Sequence, residues 1–336
     1  MYSIHRAILY ICCLFLLACA DKNSPVGPGA SQGAVPLLLA DIVTSDSGAY
    51  FAVVQTAAGP SFLLPLELCP ASAVDLLLEG VHFPRPLTHD LLLAAADSLG
   101  VVVKGIVLSL GPQAVPEASV ILGGEGNSTL RATLGDAIAL HYASAVPLVA
   151  APELVAHFTT VGAVAKIVLA PVSPSLPPRR ARFAQADTAL VEMSLLGVVQ
   201  SAADLAVVLL DPTLSRAFPV FIGFCQASSI VATLQNEDGP PVRSHQLFVD
   251  LLRAKRVSIE YARIVALRGD TYIGELVLRV GSRSFVLDAR PSDAIALALR
   301  TGAPVQLAKF LLDEVGEDAE PYRALFAGAL GKFVPR

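Results

Sequence analysis

The sequence contains little that would identify an enzyme directly. It has no tryptophan, 6% aromatic residues and 16% charged residues, although 54% of its 336 residues are hydrophobic. This hydrophobic content excludes a disordered chain, and the length allows two domains with cores of their own. A net charge of −5 does not indicate a nucleic-acid-binding protein. A Walker loop, a nucleophile elbow and a metal-ligand spacing are also absent from the sequence.

The few charges are unevenly distributed along the chain. Residues 34–160 contain three basic side chains against eleven acidic ones, whereas residues 190–336 contain fifteen basic and sixteen acidic ones. Several of the cations cluster at Arg253, Lys255 and Arg256. If either half of the chain binds phosphate, we expect the second half to do so through this cluster. The alternative for such a cluster is an ordinary solvated surface.

The N-terminus has the composition of a secretory leader. A short basic region precedes about a dozen apolar residues, too few to span a bilayer comfortably. Leu16–Cys19 then resembles the bacterial lipobox, in which cleavage leaves an acylated cysteine. We expect a signal peptide at residues 1–18, lipidation of Cys19 and a flexible tether at residues 19–36. The protein would then be a membrane-anchored lipoprotein of the bacterial cell envelope, facing the periplasm or the exterior; an uncleaved tail or a plain signal peptide is the alternative.

Two cysteines remain after this leader. An oxidising envelope permits a disulfide between Cys69 and Cys225, whereas two buried thiols that never meet are the more ordinary arrangement. We expect the separate thiols.

The body of the chain is a tandem duplication. Cys69–Ser72 aligns with Cys225–Ser228 and Thr88–His89 with Ser244–His245 at one offset, and Asp136–Leu140 aligns with Asp293–Leu297 one residue later. Such ordered matches are hard to obtain by chance. The expected domains are a first copy at 37–160, a Pro/Arg linker at 161–187, a second copy at 188–315 and a C-terminal tail at 316–336.

Each copy has the pattern of an α+β unit. In the second copy the predicted strands are Ala189–Val199, Leu205–Leu210, Val257–Leu267, Tyr272–Val280 and Arg283–Leu287. The predicted helices are Gln226–Leu234, Ser244–Lys255 with Ser244 as its N-cap, and one that begins near Pro291 and ends at Gly302. We therefore expect an α+β fold of two tandem mixed-sheet units with helices packed on one face, related by a pseudo-twofold axis.

Two stretches of the sequence resemble the signatures of a known family. They are PRPLTHDLL at 84–92 and DARPSDAIALALRTGAPV at 288–305, and they resemble the bifunctional nuclease domain, a small α/β domain of bacteria and plants associated with DNase and RNase activity. The resemblance covers essentially all of both copies. It implies phosphodiester hydrolysis of DNA or RNA, with nucleic acid as the partner.

The signature residues are divided between the two copies. The first copy keeps Arg85 and His89 but reads RATLGD at 131–136, where the second copy reads DARPSD. The second copy keeps His245, but its arginine, Arg243, stands two positions late. A glutamate that the family usually carries in the Cys-x-Ala-Ser region is replaced by Pro70 and Gln226. Neither copy looks complete.

Phosphodiester hydrolysis requires an activated nucleophile and positive charge near the phosphate oxygens. The resemblance implies that the candidate catalytic residues are Asp288, Arg290, Asp293, His245, His89 and Arg85. Asp288 and Asp293 could share a Mg²⁺ or Mn²⁺ ion, Arg290 could bind phosphate, and either histidine could act as acid or base. Arg253, Lys255 and Arg256 would contact the nucleic acid.

Each candidate residue also has a structural alternative. Asp293 and its counterpart Asp136 open helices, where a carboxylate offsets the free N–H groups. Asp288 and Arg290 could form only a local ion pair, and the two histidines could be buried packing residues. The chain as a whole could accordingly be an inactive binding or oligomerisation module of the same fold on the cell envelope, associated as a homo-oligomer.

Overall fold

The computed structural model describes residues 33–327 except positions 58, 60, 80, 82, 84, 125–126, 162, 165–188, 201–203, 236–243 and 270. The predicted signal peptide, Cys19 and nearly all of the predicted tether and linker lie outside these residues, as does Arg243. The expectations for those segments therefore stay predictions. In the described part of the chain, no helix is long and apolar enough to cross a bilayer.

The first copy forms a mixed sheet with helices. Its described strands are β1 (Val35–Thr44), β2 (Tyr50–Thr56), β3 (Ser61–Leu66), β4 (Val102–Leu110), β5 (Pro116–Gly123), β6 (Ser128–Ala132), β7 (Leu148–Ala150) and β8 (Ala163–Val164). Its helices are α1 (Leu68–Leu78), α2 (Thr88–Ser98), α3 (Leu134–Ser144) and α4 (Pro152–Val161). The sheet order is β6-β5-β4-β7-β1-β2-β3-β8. Strands β4 and β7 are parallel, and the other neighbours are antiparallel.

The second copy repeats this topology strand for strand. Its strands are β9 (Leu190–Gln200), β10 (Leu205–Leu210), β11 (Arg216–Ile222), β12 (Ser258–Arg268), β13 (Thr271–Val280), β14 (Arg283–Ala289), β15 (Val305–Ala308) and β16 (Glu317–Asp318). Its helices are α5 (Phe224–Leu234), α6 (Ser244–Ala254), α7 (Pro291–Thr301), α8 (Lys309–Val315) and α9 (Glu320–Phe326). The order β14-β13-β12-β15-β9-β10-β11-β16 matches that of the first copy, which confirms the predicted α+β duplication.

Each sheet has a short edge strand near the C-terminal end of its copy. Strand β16 pairs with β11 through Ala217 and Arg216, and α9 packs on β9, so the second unit extends beyond residue 315. Strand β8 likewise joins the first sheet beyond residue 160. Neither strand can be predicted from the sequence pattern, because a two-residue edge strand has no measurable periodicity.

Helices α3 and α7 lie at the centre of their copies. Residues 292–298 of α7 are all buried, as are residues 134–140 of α3, because each helix packs on its sheet and against neighbouring helices. The alternation of alanine with leucine and isoleucine allows this close approach on two sides. In α7, Pro291 occupies the first turn and Gly302 ends the helix with φ of 70°, as the sequence predicts.

The two copies pack against each other in a reciprocal way. Helix α2 of the first copy packs on β14 of the second, α6 of the second copy packs on β6 of the first, and α2 contacts α6. One continuous cluster of buried apolar side chains includes residues of both copies. These paired contacts are those of a pseudo-twofold axis between the copies.

A disulfide joins the two copies at equivalent positions. Cys69 and Cys225 each lie in the first turn of a helix, α1 and α5, with their Cα atoms 5.6 Å apart. The expectation of two separate thiols is therefore wrong. It failed because residues with 156 positions between them come together only when the copies pack. A bond between equivalent residues crosses the pseudo-twofold axis, so it marks the centre of the interface.

Candidate functional site

A cleft of about 560 Å³ lies between the two copies beside the disulfide. Its polar lining comes from the helix entries of both copies and includes His89, His245, Asp136, Arg290 and Glu67. Of the six predicted catalytic residues, Arg290, His245 and His89 line the cleft. Asp293, Asp288 and Arg85 do not line it, and each of them forms a hydrogen bond with a residue of the other copy.

Asp293 is completely buried, and its two oxygens accept from three side chains. His245 Nε2 lies 2.9 Å from Oδ1, which also accepts from the Thr88 hydroxyl of the first copy at 2.9 Å. Arg290 Nε donates to Oδ2 at 2.6 Å. Burial acts to raise the pKa of Asp293, but the Arg290 guanidinium and the His245 ring outweigh it and hold that pKa well below its ordinary value. Asp293 is therefore ionised and orients both neighbours.

Asp136 repeats this arrangement in the first copy. Its Oδ1 accepts from His89 Nε2 at 2.8 Å and from the Ser244 hydroxyl of the second copy. Thr133 stands where the second copy has Arg290, and its hydroxyl donates to Asp136 Oδ2 at 2.9 Å and accepts from the Asp136 N–H at 3.0 Å. Each aspartate thus accepts from the histidine of its own copy and from a hydroxyl of the other copy.

The two histidines differ at their second ring nitrogen. The Ser229 hydroxyl lies 2.9 Å from His245 Nδ1, so both nitrogens of His245 are engaged. The equivalent residue near His89 is Ala73, which has no hydroxyl. Among the described residues His89 Nδ1 has no hydrogen-bond partner. It is absent from the fully buried atoms that lack a partner, so Nδ1 is not completely buried. His89 lines the cleft, so we infer that its Nδ1 is reached from there.

Arg290 brings positive charge to the same cleft. Its Nε and Nη2 are held by Asp293 and by the Thr88 hydroxyl, the latter at 3.2 Å. No described residue accepts a hydrogen bond from Nη1, and about a quarter of the side chain is exposed. A guanidinium fixed on one side by a carboxylate can donate from its other side to an anionic ligand.

Arg85 and Asp288 form an ion pair that joins the copies behind the cleft. Arg85 Nη2 donates to Asp288 Oδ1 and to the backbone oxygens of Ala289 and Gly274, at 2.6 and 3.2 Å respectively for the latter two. Burial raises the pKa of Asp288, and the charge of Arg85 opposes that shift. Burial also lowers the pKa of Arg85. These contacts give Arg85 and Asp288 a role in holding the interface.

Glu67 is a second carboxylate of the cleft. It directly precedes α1, and its Oε2 accepts from the backbone N–H of Gly135 at 2.7 Å, in the first turn of α3. The second copy has Gly223 at the equivalent position, so this acid is present on one side of the pseudo-twofold axis. The Cys-x-Ala-Ser motif predicts the family glutamate at positions 70 and 226. It does not identify Glu67, which stands three residues before Pro70.

The predicted metal and nucleic-acid contacts are not brought together at the cleft. No group of three or more His, Cys, Asp or Glu side chains that could hold a metal occurs within the described ranges. A cation shared by Asp288 and Asp293 would meet the Arg85 and Arg290 guanidinium groups, so these residues do not fit one. The cluster of Arg253, Lys255 and Arg256 lies at the C-terminal end of α6, where Arg253 is about 12 Å along the helix from His245, and none of the three lines the cleft.

The hydroxyls of Thr88 and Ser244 each donate a hydrogen bond to an aspartate of the other copy. The sequence predicts Ser244 as an N-cap, whereas α6 begins at Ser244 and its hydroxyl donates to Asp136 across the interface. Thr88 does the same toward Asp293. The internal repeat is the sequence feature that could have identified these two hydroxyls, because a hydroxyl residue precedes the histidine in both copies.

Comparison with known proteins agrees with this duplicated architecture. The chain matches the bifunctional nuclease domain over residues 41–161 and again over residues 207–320. It is also similar to two uncharacterised proteins of Mycobacterium tuberculosis, MT1877 of strain CDC 1551 / Oshkosh and Rv1829 of strain ATCC 25618 / H37Rv, with 34% identity over 101 residues in each case. The match covers 30% of this chain and 60% of each relative. The two family matches together span most of the chain, which therefore belongs to the bifunctional nuclease domain family and carries two tandem copies of its domain.

Proposed function

We propose that the protein hydrolyses phosphodiester bonds of DNA or RNA in the cleft between its two copies. The observation that carries this proposal is the pairing, within one cleft, of His89, whose Nδ1 has no hydrogen-bond partner among the described residues, and Arg290, whose Nη1 likewise has none there. The first is a general base and the second is a phosphate ligand. Each copy contributes one of them, which explains how two incomplete signatures can make one site.

In the proposed reaction, His89 activates the attacking water. Asp136 accepts from Nε2–H and so fixes the tautomer in which Nδ1 carries the lone pair. Nδ1 takes a proton from water as the water oxygen bonds to phosphorus. Asp136, which is buried, stabilises the imidazolium that forms.

Arg290 stabilises the negative charge that develops on the phosphate oxygens. Asp293 and Thr88 hold its Nε and Nη2, so the guanidinium is oriented before the substrate binds. The bond from phosphorus to the leaving oxygen then breaks, and that oxygen takes a proton from water in the cleft. The imidazolium of His89 returns its proton to solvent, which restores the starting state.

His245 has a positioning role in this proposal. Both of its nitrogens are engaged, by Asp293 and by Ser229, and Arg300 also donates to the Ser229 hydroxyl at 3.2 Å. A histidine with no available lone pair cannot accept a proton from water. The difference between Ala73 and Ser229 thus separates a reactive histidine from a structural one.

The experiment gives His89 the hydroxyl neighbour that His245 has. Purified protein is assayed for cleavage of DNA and RNA oligonucleotides, with Ala73→Ser placing a hydroxyl near His89 Nδ1 and His89→Gln removing the base. We expect His89→Gln to lower the rate by a factor of about 10² to 10⁴, and Ala73→Ser to lower it in the same direction with unchanged thermal stability.

Matched controls separate catalysis from folding and from metal chemistry. His245→Gln is the equivalent change in the second copy and should cause the smaller loss of rate in a folded protein. Cleavage should also persist in EDTA. Full activity in folded His89→Gln, or activity that EDTA abolishes and Mg²⁺ or Mn²⁺ restores, would overturn this mechanism. Absence of cleavage by the wild-type protein would leave the domain pair as a binding module.

We also propose that the protein is a lipoprotein of the bacterial cell envelope, anchored through acylated Cys19. The sequence of the leader supports this location, and so does the disulfide between Cys69 and Cys225, because disulfides persist in oxidising compartments and are rare in the cytosol. An envelope location would expose the cleft to nucleic acid outside the cytoplasm.

A further inference from the structure

The rim of the cleft carries exposed apolar side chains that its polar chemistry does not use. Phe224 is 62% exposed and Leu68 is 47% exposed, and both line the cleft. They occupy equivalent positions, each directly before a cysteine of the disulfide. Phe83, 36% exposed, lies on the same lining. Large apolar groups clustered around a polar cleft are typical of a binding site.

The chemistry of the cleft changes from its rim to its floor. Phe224, an aromatic ring, is mostly exposed at the cleft, whereas the Arg290 side chain is about a quarter exposed and His89 is buried. A ligand that matches both must have a flat apolar part attached to an anionic part. A nucleotide has this composition, since its base can stack on an aromatic ring while its phosphate accepts from arginine.

Resting on the proposed nuclease function, we propose that the site takes single-stranded nucleic acid, with a nucleobase stacked on the Phe224 ring. In a duplex both faces of each base are covered by neighbouring bases, so an aromatic side chain can stack only on a base that is unpaired or at an end. A volume of about 560 Å³ is that of a small-molecule pocket, which suits one or a few nucleotides. Phe224 is accordingly a substrate-binding residue and selects strand type.

The chain supplies a matched control for this residue. Phe221, in β11, is 68% exposed and only three positions away from Phe224, but it does not line the cleft. Both phenylalanines can therefore be changed to alanine with similar effects on surface hydrophobicity. Only Phe224→Ala removes an aromatic face from the proposed site.

The test measures binding and cleavage separately. Binding of a fluorescently labelled single-stranded oligonucleotide is followed by anisotropy in the His89→Gln background, so that the probe stays intact. We expect Phe224→Ala to weaken binding about 5- to 100-fold, as removal of one stacked base does, and Phe221→Ala to leave it unchanged. The same sequence as a blunt duplex should bind more weakly. An oligonucleotide made of abasic sites should bind to the His89→Gln protein as weakly as the normal probe binds to that protein carrying Phe224→Ala.

The outcomes distinguish this inference from the nuclease proposal. Equal binding of single strand and duplex, or equal losses for Phe224→Ala and Phe221→Ala, would overturn the inference even if the wild-type protein cleaves both substrates. Binding that is specific for single strands and dependent on Phe224, without cleavage, would support the inference and refute only the catalysis. Binding of neither nucleic acid would overturn both and would point to an apolar protein segment as the occupant.

Discussion

Removal of the disulfide between the copies is expected to lower the stability of the whole protein. The bond closes a loop between Cys69 and Cys225, which are 156 positions apart. The loss of loop-closure entropy in the unfolded chain then corresponds to about 5 kcal/mol at 25 °C by the chain-entropy relation, with measured values more commonly about 2–4 kcal/mol. Since the bond lies beside the cleft, its loss should also loosen the relative position of the two helix entries that line the site.

The assay is equilibrium unfolding in urea of the oxidised protein and of the double variant Cys69→Ser/Cys225→Ser, in which neither member of the pair is left as a free thiol. We expect the variant to unfold at a lower urea concentration, with a loss of about 2–5 kcal/mol in the free energy of unfolding. A thiol reductant should reproduce this loss in the wild-type protein and should have no effect on the variant. Identical unfolding curves for all three samples would refute the reasoning, because the covalent link would then contribute nothing to the fold.

Three further predictions concern the interface and the leader. Burial raises the pKa of Asp293, but the larger opposite effect of Arg290 and His245 holds that pKa below its ordinary value. The carboxylate therefore stabilises the fold above the unfolded pKa of about 3.9, and this contribution is lost as the pH falls below about 4. In urea unfolding from pH 6 to pH 2, the stability of Asp293→Asn should depend less on acid than that of the wild type, and an unchanged slope would contradict this. Asp288→Ala leaves Arg85 largely buried without its counter-ion and should lower the free energy of unfolding by about 3–5 kcal/mol, whereas Asp288→Leu with Arg85→Met should recover most of that loss in the same assay. Equal stability of the single variant and the wild type would exclude a stabilising role for this ion pair. Cys19→Ser should move the protein from the membrane fraction to the soluble fraction or block its processing, and unchanged fractionation and mass would disprove the anchor.

The equivalent positions of the first copy have different sensitivities. From the sequence, Arg131 and Thr133 replace Asp288 and Arg290 and are expected to tolerate alanine. The side chain of Arg131 is exposed, whereas the Thr133 hydroxyl caps α3 and hydrogen-bonds to Asp136. Loss of such a cap costs about 1 kcal/mol, so Thr133 is a structural residue of the site.

Local patterns determined most of the secondary structure in advance. The five predicted strands of the second copy correspond to β9, β10, β12, β13 and β14, and their bounds and those of helices α6 and α7 agree within two residues, because apolar periodicity, Pro291 and Gly302 act over one or two turns. Strands β15 and β16 had no predicted counterpart. The repeat itself was also readable, since duplicated residues keep their order and spacing. These signals are local in the chain, and tertiary packing did not override them.

Only the tertiary structure decided which residues meet. Cys69 bonds to Cys225, Thr88 and Ser244 cross to the other copy's aspartate, and Arg85 pairs with Asp288. The surroundings of two similar histidines differ by one hydroxyl, that of Ser229, on a neighbouring helix. Such contacts depend on how two finished units pack about a shared axis. The sequence specifies the parts of this cleft, and the packing of the two copies determines that they form one site, because hydrogen bonds and charges act over a few ångströms of space regardless of separation along the chain.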